Sequence, residues 1–111
     1  MADVIRIVVA APGASAVVKM IDNTLEAISS EVGGYLEMFR FEALMERHHI
    51  HCYIHEEGKL KGDKPNVAIP GDVIVGNIIA SKSDSDGKEM GLSESEAKFA
   101  CLYLNHLRGL P

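Results

Sequence analysis

Histidines are concentrated in one short stretch of the chain, residues 48–55, which reads His-His-Ile-His-Cys-Tyr-Ile-His. Side chains alternate between the two faces of a β-strand, so a strand here would place His49, His51, Tyr53 and His55 on one face. A His-x-His pair on one strand can bind a transition metal through its imidazole nitrogens. His49, His51 and His55 are therefore our candidate metal ligands.

Two other interpretations of this stretch stay open. A solvent-facing strand whose polar face is rich in histidine has the same pattern, and His55 lies about two pleats beyond His51, too far to reach the same ion without a bend. The spacing also places no carboxylate or cysteine as a third ligand. Clustered histidines gain charge together near neutral pH, so a pH-sensitive surface is the remaining interpretation.

A second group of polar residues lies in the predicted turns that flank two neighbouring strands. Asparagine and aspartate in turns usually bond to the local backbone. Loops on a rigid sheet also commonly carry function, so the same residues are candidates for a ligand or partner surface. This candidate binding group consists of Glu56, Glu57, Lys59, Asn66 and Asp72.

The chain does not match the common sequence motifs of other catalytic and metal-binding sites. Residues 84–87, Asp-Ser-Asp-Gly, look like part of a calcium loop, but Lys82 and Ser93 stand where such a loop needs Asp and Glu. The chain has neither a Gly-x-Ser-x-Gly elbow nor a phosphate loop. Cys52 has histidine and tyrosine neighbours, but on a strand they point to the opposite face. We therefore do not expect an enzyme.

Composition favours a single globular domain spanning residues 1–111, with 47% hydrophobic residues and a net charge of −5. That charge argues against nucleic-acid binding, which normally requires a basic stripe. Cys52 and Cys101 lie in apolar stretches and are expected to be buried thiols. With neither a signal peptide nor an apolar run long enough for a membrane span, we expect a cytoplasmic protein that does not enter a membrane.

The first third of the chain predicts a β-hairpin followed by a helix. Two apolar runs, residues 4–11 and 16–21, flank a Pro-Gly turn. Asn23 at the N-cap with Glu26 three residues later has the pattern of a capping box. Gly33 and Gly34 then end the helix. Its predicted buried face consists of Leu25, Ile28 and Val32.

The remainder predicts strands and one long helix. Alternating patterns cover residues 35–44 and 47–55, and further strands are expected at 67–69 and 73–80. A capping box from Ser93 to Glu96 begins a helix over about residues 93–108. The predicted class is therefore α+β, a mostly antiparallel sheet of about five to six strands with two main helices packed on it. The buried face of the last helix is predicted to consist of Ala97, Ala100, Cys101, Leu104 and Leu107.

Three segments, in their order and spacing, resemble a family of small proteins of unknown function carried by bacteria, phages and other mobile elements. The resemblance covers about residues 4–80, and Val-Gly-Gly-Tyr-Leu-Glu is its most specific part. It implies a mixed α/β fold and a phage or mobile-element setting, and it brings no established activity or catalytic residues. The segments are 21–26 with 32–37, 56–60 with 65–66, and 71–76.

These observations favour a non-enzymatic binding or interaction protein that occupies a host protein or sequesters a small ligand. One alternative is a metal-binding protein that uses His49 and His51 with His55 or His106. Its cofactor would be a divalent metal ion. Another is a structural homo-oligomer, for which we expect a homodimer. Its contacts would be an edge strand or the apolar flank of the last helix, formed by Phe99, Leu102 and Tyr103.

Overall fold

A computed structural model describes residues 3–111, with the side chain of Arg47 excepted. Within this part of the chain, seven strands and three helices follow one another. They are β1 Val4–Ala10, β2 Val17–Asp22, α1 Leu25–Val32, β3 Leu36–Phe39, α2 Glu42–His48, β4 His51–His55, β5 Pro65–Ile69, β6 Asp72–Val75, β7 Ile78–Ser81 and α3 Glu94–Leu107.

Five strands form an antiparallel sheet in the order β2-β1-β7-β4-β3, and β5 pairs with β6 in a separate antiparallel hairpin. The predicted α+β class is confirmed. The outer strands β2 and β3 are the two edges of the sheet. Among residues 3–111, no helix is both long and apolar enough to cross a membrane.

Both faces of the sheet are covered by apolar side chains. Val8 and Ala10 of β1 lie on the face that packs against α2, α3 and the β5–β6 hairpin. Ile7 and Val9 lie on the opposite face, which packs against α1. Strand β1 is therefore central and covered on both sides, as its nearly continuous apolar sequence predicts.

Helix α1 begins one residue later than predicted. Its N-cap is Thr24, whose side chain accepts a hydrogen bond from the backbone N–H of Ala27. Asn23 instead donates from its side chain to the backbone oxygen of Glu89, 2.8 Å away. Leu25 was predicted to be buried but is 68% exposed, because the first turn of the helix lies at an open groove. Gly33 ends the helix in the left-handed conformation, as predicted.

The predicted strand over residues 35–44 is wrong beyond Phe39. Residues 42–48 form α2, since Ala43, Leu44 and Met45 are good helix formers and Leu44 packs into the core. His49 ends α2 with a φ of 56°. The strand predicted over residues 47–55 therefore begins only at His51.

The strand predicted over residues 73–80 is in fact two strands. Gly76 has a φ of 77°, which turns the chain so that β6 joins the hairpin and β7 joins the main sheet. The predicted capping box at Ser93 and Glu96 is confirmed. Leu107, predicted to be buried, is 39% exposed, and Asn105 is buried near the end of α3 instead.

Candidate functional site

Strand β4 carries polar side chains on one face and apolar side chains on the other. Tyr53 packs against the α1 side of the sheet, while Cys52 packs against the α3 side. His51 and His55 lie on the same face as Tyr53, as the alternation predicts. His49 does not share that face, because it is the exposed residue that ends α2.

A single carboxylate gathers the polar side chains at one end of this face. Glu89 Oε1 accepts hydrogen bonds from His51 Nε2 at 3.2 Å, from Ser83 Oγ at 3.2 Å and from the hydroxyl of Tyr53. Its Oε2 accepts one from Ser81 Oγ at 2.8 Å. We call these five residues the Glu89 cluster.

The backbone brings the Glu89 cluster together from distant parts of the sequence. His51 lies opposite Ser81 in the pairing of β4 with β7. After β7 the chain turns back, so that Ser83 forms a bridge with Glu89. The side chain of Asp84 holds this turn by accepting from the backbone N–H groups of residues 86 and 88. Residues 84–87 thus build a turn rather than a calcium loop.

Hydrogen bonds favour the ionised form of Glu89, and burial favours the protonated form of Tyr53. Burial raises the pKa of Glu89, but hydrogen bonds from His51, Tyr53 and Ser81 outweigh it and hold that pKa below its ordinary value. Burial, together with the neighbouring Glu89 carboxylate, raises the pKa of the Tyr53 hydroxyl. Glu89 is therefore an anion held by neutral hydroxyl donors and the imidazole of His51.

Two members of the Glu89 cluster, Tyr53 and Glu89, line a groove of about 540 Å³ between the start of α1 and residues 84–89. The groove combines an apolar side with a polar rim in which carboxylates outnumber lysine. Cavities of this size are typical of small-molecule sites. Its lining is Asp3, Asn23, Thr24, Leu25, Ile28, Leu36, Tyr53, Asp84, Gly87, Lys88 and Glu89.

His55 has a different carboxylate partner. Its Nδ1 lies 2.8 Å from Oδ2 of Asp63, in the turn region that follows β4. Three glycines leave room for this pair. A Cβ at Gly34 would overlap Nε2 of His55. A Cβ would lie 2.9 Å from Asp63 Oδ2 at Gly58 and 2.6 Å from it at Gly76. Each of these glycines belongs to one of the three segments that carry the family resemblance.

Three residues of the candidate binding group meet in one cleft. Glu56, Lys59 and Asp72 line a space of about 200 Å³ between β3–β4 and the β5–β6 hairpin. Lys59 Nζ lies 2.5 Å from Asp72 Oδ1, and hydrogen bonds from Lys59 and the Val73 backbone lower the pKa of Asp72. The apolar lining of the cleft is Phe39, Ile54, Leu60, Ile69, Val73, Ile74 and Val75.

The other two residues of the group lie outside this cleft. Glu57 is half-buried in the turn after β4, where its backbone oxygen accepts from Lys61 N. Asn66 donates to the backbone oxygens of Ala10 and Gly76, each at 2.7 Å, and accepts from Arg108. Its side chain therefore ties the hairpin to the main sheet.

Edge strand β3 presents free backbone groups beside the cleft. Glu56 N donates to Tyr35 O, and the register pairs Leu36 with His55. Hydrogen-bonded and non-hydrogen-bonded pairs alternate along an antiparallel ladder. The backbone groups of Tyr35, Glu37 and Phe39 therefore form the hydrogen bonds to β4. The N–H and C=O groups of Leu36 and Met38 point away from β4. They have no hydrogen-bond partner among the backbone and side-chain groups that the structure describes.

The structure places the candidate metal ligands in separate settings. His51 bonds to Glu89, His55 bonds to Asp63, and both His49 and His106 are exposed at or near the ends of helices. In the described part of the chain, no three His, Cys, Asp or Glu side chains are grouped so that they could hold a metal ion. Metal binding stays a prediction.

The thiols do not form a reactive site with these groups. Cys52 and Cys101 are both free cysteines. Burial raises the pKa of the Cys52 thiol to about 12, which keeps it protonated near neutral pH. Cys101 is half-buried, and burial raises its pKa as well.

The fold and site define a small α+β protein with two concave polar sites on either side of β3 and β4. A family model described as a domain of unknown function, DUF3846, matches residues 5–107, and the chain belongs to that family. The match includes α3, beyond the region of about residues 4–80 on which the resemblance rests. No curated protein and no solved structure matches the chain.

Proposed function

We propose that this protein is a non-enzymatic interaction protein that binds an extended segment of a partner protein along the open edge of β3. The observation that carries the proposal is the position of the free Leu36 and Met38 backbone groups next to the cleft under the β5–β6 hairpin. Extended peptides commonly add a strand to an exposed sheet edge, and side-chain pockets beside that edge then give specificity.

The cleft sets the kind of side chain that the partner segment carries. Glu37 and Phe39 of β3 line the cleft, so a strand added to β3 places alternate side chains at its mouth. The apolar lining, formed by residues such as Ile54 and Ile74, suits one apolar side chain. The free edge supplies the backbone hydrogen bonds and the cleft supplies the anchor.

The charges around the cleft favour a basic partner. Glu37 and Glu56 are exposed, and neither forms an ion pair with any of the side chains that the structure describes. Lys59 is already paired with Asp72. The preferred partner is therefore an apolar residue flanked by lysine or arginine in an extended segment, because charge complementarity steers association and selects partners.

Selection from a displayed library of random peptides tests this function. We expect enriched peptides to carry an apolar residue between basic residues. Glu37→Lys with Glu56→Lys should weaken their binding at least about tenfold, as loss of paired charges commonly does. Met38→Pro should also weaken it, because it removes an outward N–H that β4 does not use. Glu26→Lys with Glu46→Lys, both exposed on helices and outside the cleft lining, is the control with the same change of charge.

The setting implied by the resemblance belongs to the same proposal. We place the protein in a bacterial or phage mobile element and its action in the cytoplasm, with a host protein as the source of the basic segment. The net charge of −5 favours a basic protein partner over a nucleic acid, because a nucleic acid is itself negatively charged.

Homodimerisation through the other sheet edge is a second candidate. β2 is the opposite edge strand, and its Val17, Val18 and Met20 side chains are about half exposed. Exposed apolar edge strands tend to pair with another chain. A mass in solution equal to two chains, reduced to one chain by Val18→Lys, would support this assembly. A mass of one chain at every concentration would exclude it.

A further inference from the structure

We propose that the groove beside the Glu89 cluster binds a small organic cation, an amine or a guanidine with an apolar body. This site is separate from the proposed partner site. Leu36 of β3 lines the groove, whereas the next residue, Glu37, lines the cleft under the hairpin. The two sites therefore lie on opposite faces of the same strand.

The hydrogen bonds of Glu89 leave one of its oxygens with capacity for a ligand. Oε1 accepts from three side chains, while Oε2 accepts from Ser81. A carboxylate oxygen has two lone pairs, so Oε2 can accept a further donor. The Glu89 side chain is 13% exposed and lines the groove, which gives a ligand access to it.

The rest of the groove favours a cation over an anion or a neutral molecule. Asp3 and Asp84 add two exposed carboxylates to its rim, against the base Lys88. Tyr53 also lines the groove, with its hydroxyl on the Glu89 carboxylate. An aromatic ring attracts an ammonium or guanidinium group placed over its face. Tyr53 and Glu89 together thus make a combined anionic and aromatic contact.

Apolar residues give the site a place for the body of the ligand. Ile28 is buried and Leu36 is half-buried at the side of the groove, while Leu25 stands exposed at its rim. A leucine that is 68% exposed in the first turn of α1 contributes little to the core. Its position suits contact with a bound apolar group.

The experiment is a titration of isotope-labelled protein with 2-phenylethylamine, followed by NMR. Two matched probes, 2-phenylethanol and 3-phenylpropionate, keep the ring and change the charge. We expect the amine alone to shift the resonances of Leu25, Tyr53 and Glu89. Glu89→Gln should weaken binding at least about tenfold, the effect of losing a charged hydrogen-bond partner.

Glu26→Gln is the control, since it removes an equal charge from an exposed position on α1 outside the groove lining. If Glu89→Gln fails to fold, Leu25→Ala serves instead, and several-fold weaker binding with an unchanged fold is expected. Equal binding of the amine and the alcohol, shifts elsewhere on the protein, no shifts at all, or unchanged affinity in the folded variant would each overturn the proposal.

Discussion

Nδ1 of His55 lies 2.8 Å from Oδ2 of Asp63, and this pair joins the end of β4 to the turn region before β5. Both side chains are largely buried. The surrounding space is kept open by Gly34, Gly58 and Gly76, which come from three distant segments. The three segments that carry the family resemblance therefore meet at one place in the fold, because each supplies one glycine beside the same histidine–aspartate pair.

Gly34→Ala should destabilise the protein by about 1 to 3 kcal/mol, the usual effect of overpacking a filled site. The new Cβ would overlap Nε2 of His55. Urea unfolding of Gly34→Ala, His55→Ala and the double variant measures the coupling between the two residues. We expect the cost of Gly34→Ala to fall when His55 is shortened.

Gly33→Ala is the matched control for that cycle. Gly33 has a φ of 89° but open space around the position of a Cβ, so its substitution introduces backbone strain without a contact. Its cost should be the same with and without His55. A cost of Gly34→Ala that is also independent of His55 would contradict the packing described here.

We expect Glu89 to make the stability of the folded protein depend on pH in the acidic range. The pKa of Glu89 is lower in the folded protein than its ordinary value, so its contribution to stability is present above the ordinary glutamate pKa of about 4.3. That contribution is lost as the pH falls through the lower folded value. Urea unfolding between neutral and acidic pH should show a difference between wild type and Glu89→Gln that shrinks as the pH falls.

Glu89→Gln should also cost about 1 to 3 kcal/mol at neutral pH, since it leaves donors of the cluster without their charged acceptor. Comparison of the two proteins is needed because hydrogen bonds also lower the pKa of Glu96 and Asp72. A difference in stability that stays constant from neutral to acidic pH would show that Glu89 is not held as described.

The two cysteines should differ in reactivity. Cys52 is fully buried and its pKa is raised to about 12, whereas Cys101 is half-buried. Alkylation of the native protein at mildly alkaline pH should modify Cys101 first, and Cys52 should react only after unfolding. Mass spectrometry of the labelled peptides gives the order, and rapid native labelling of Cys52 would contradict the burial of β4.

Local patterns predicted those parts of the fold that depend on neighbouring residues. The capping box at Ser93 and Glu96 and the end of α1 at Gly33 are set by contacts within a few residues. The two faces of β4 follow from the alternation of side chains along any strand. The sequence does not predict the helix at 42–48, because Phe39 and Phe41 continue an alternation that fits a strand. Packing of Leu44 into the core decides between the two.

The sites were harder to predict because their members are distant in sequence. Glu89 lies in a segment that reads as a polar loop, yet its partners His51 and Tyr53 are 38 and 36 residues away. Asp63 likewise reads as a turn residue, although it orients His55. The sequence pattern predicts the histidine and tyrosine side of these contacts but not the two carboxylates, Ser81 or Ser83. Sheet register brings Ser81 to His51, whereas turns bring Asp63 to His55 and Glu89 to Ser83.

Amide hydrogen exchange of the protein with a selected basic peptide is the most direct test of the proposed function. In the free protein, the amides of Leu36 and Met38 should exchange faster than those of Glu37 and Phe39, which are bonded to β4. Bound peptide should slow exchange at Leu36 and Met38 and leave the other two nearly unchanged. Unchanged exchange at Leu36 and Met38, with peptide protection on β2 or elsewhere, would contradict docking at this edge.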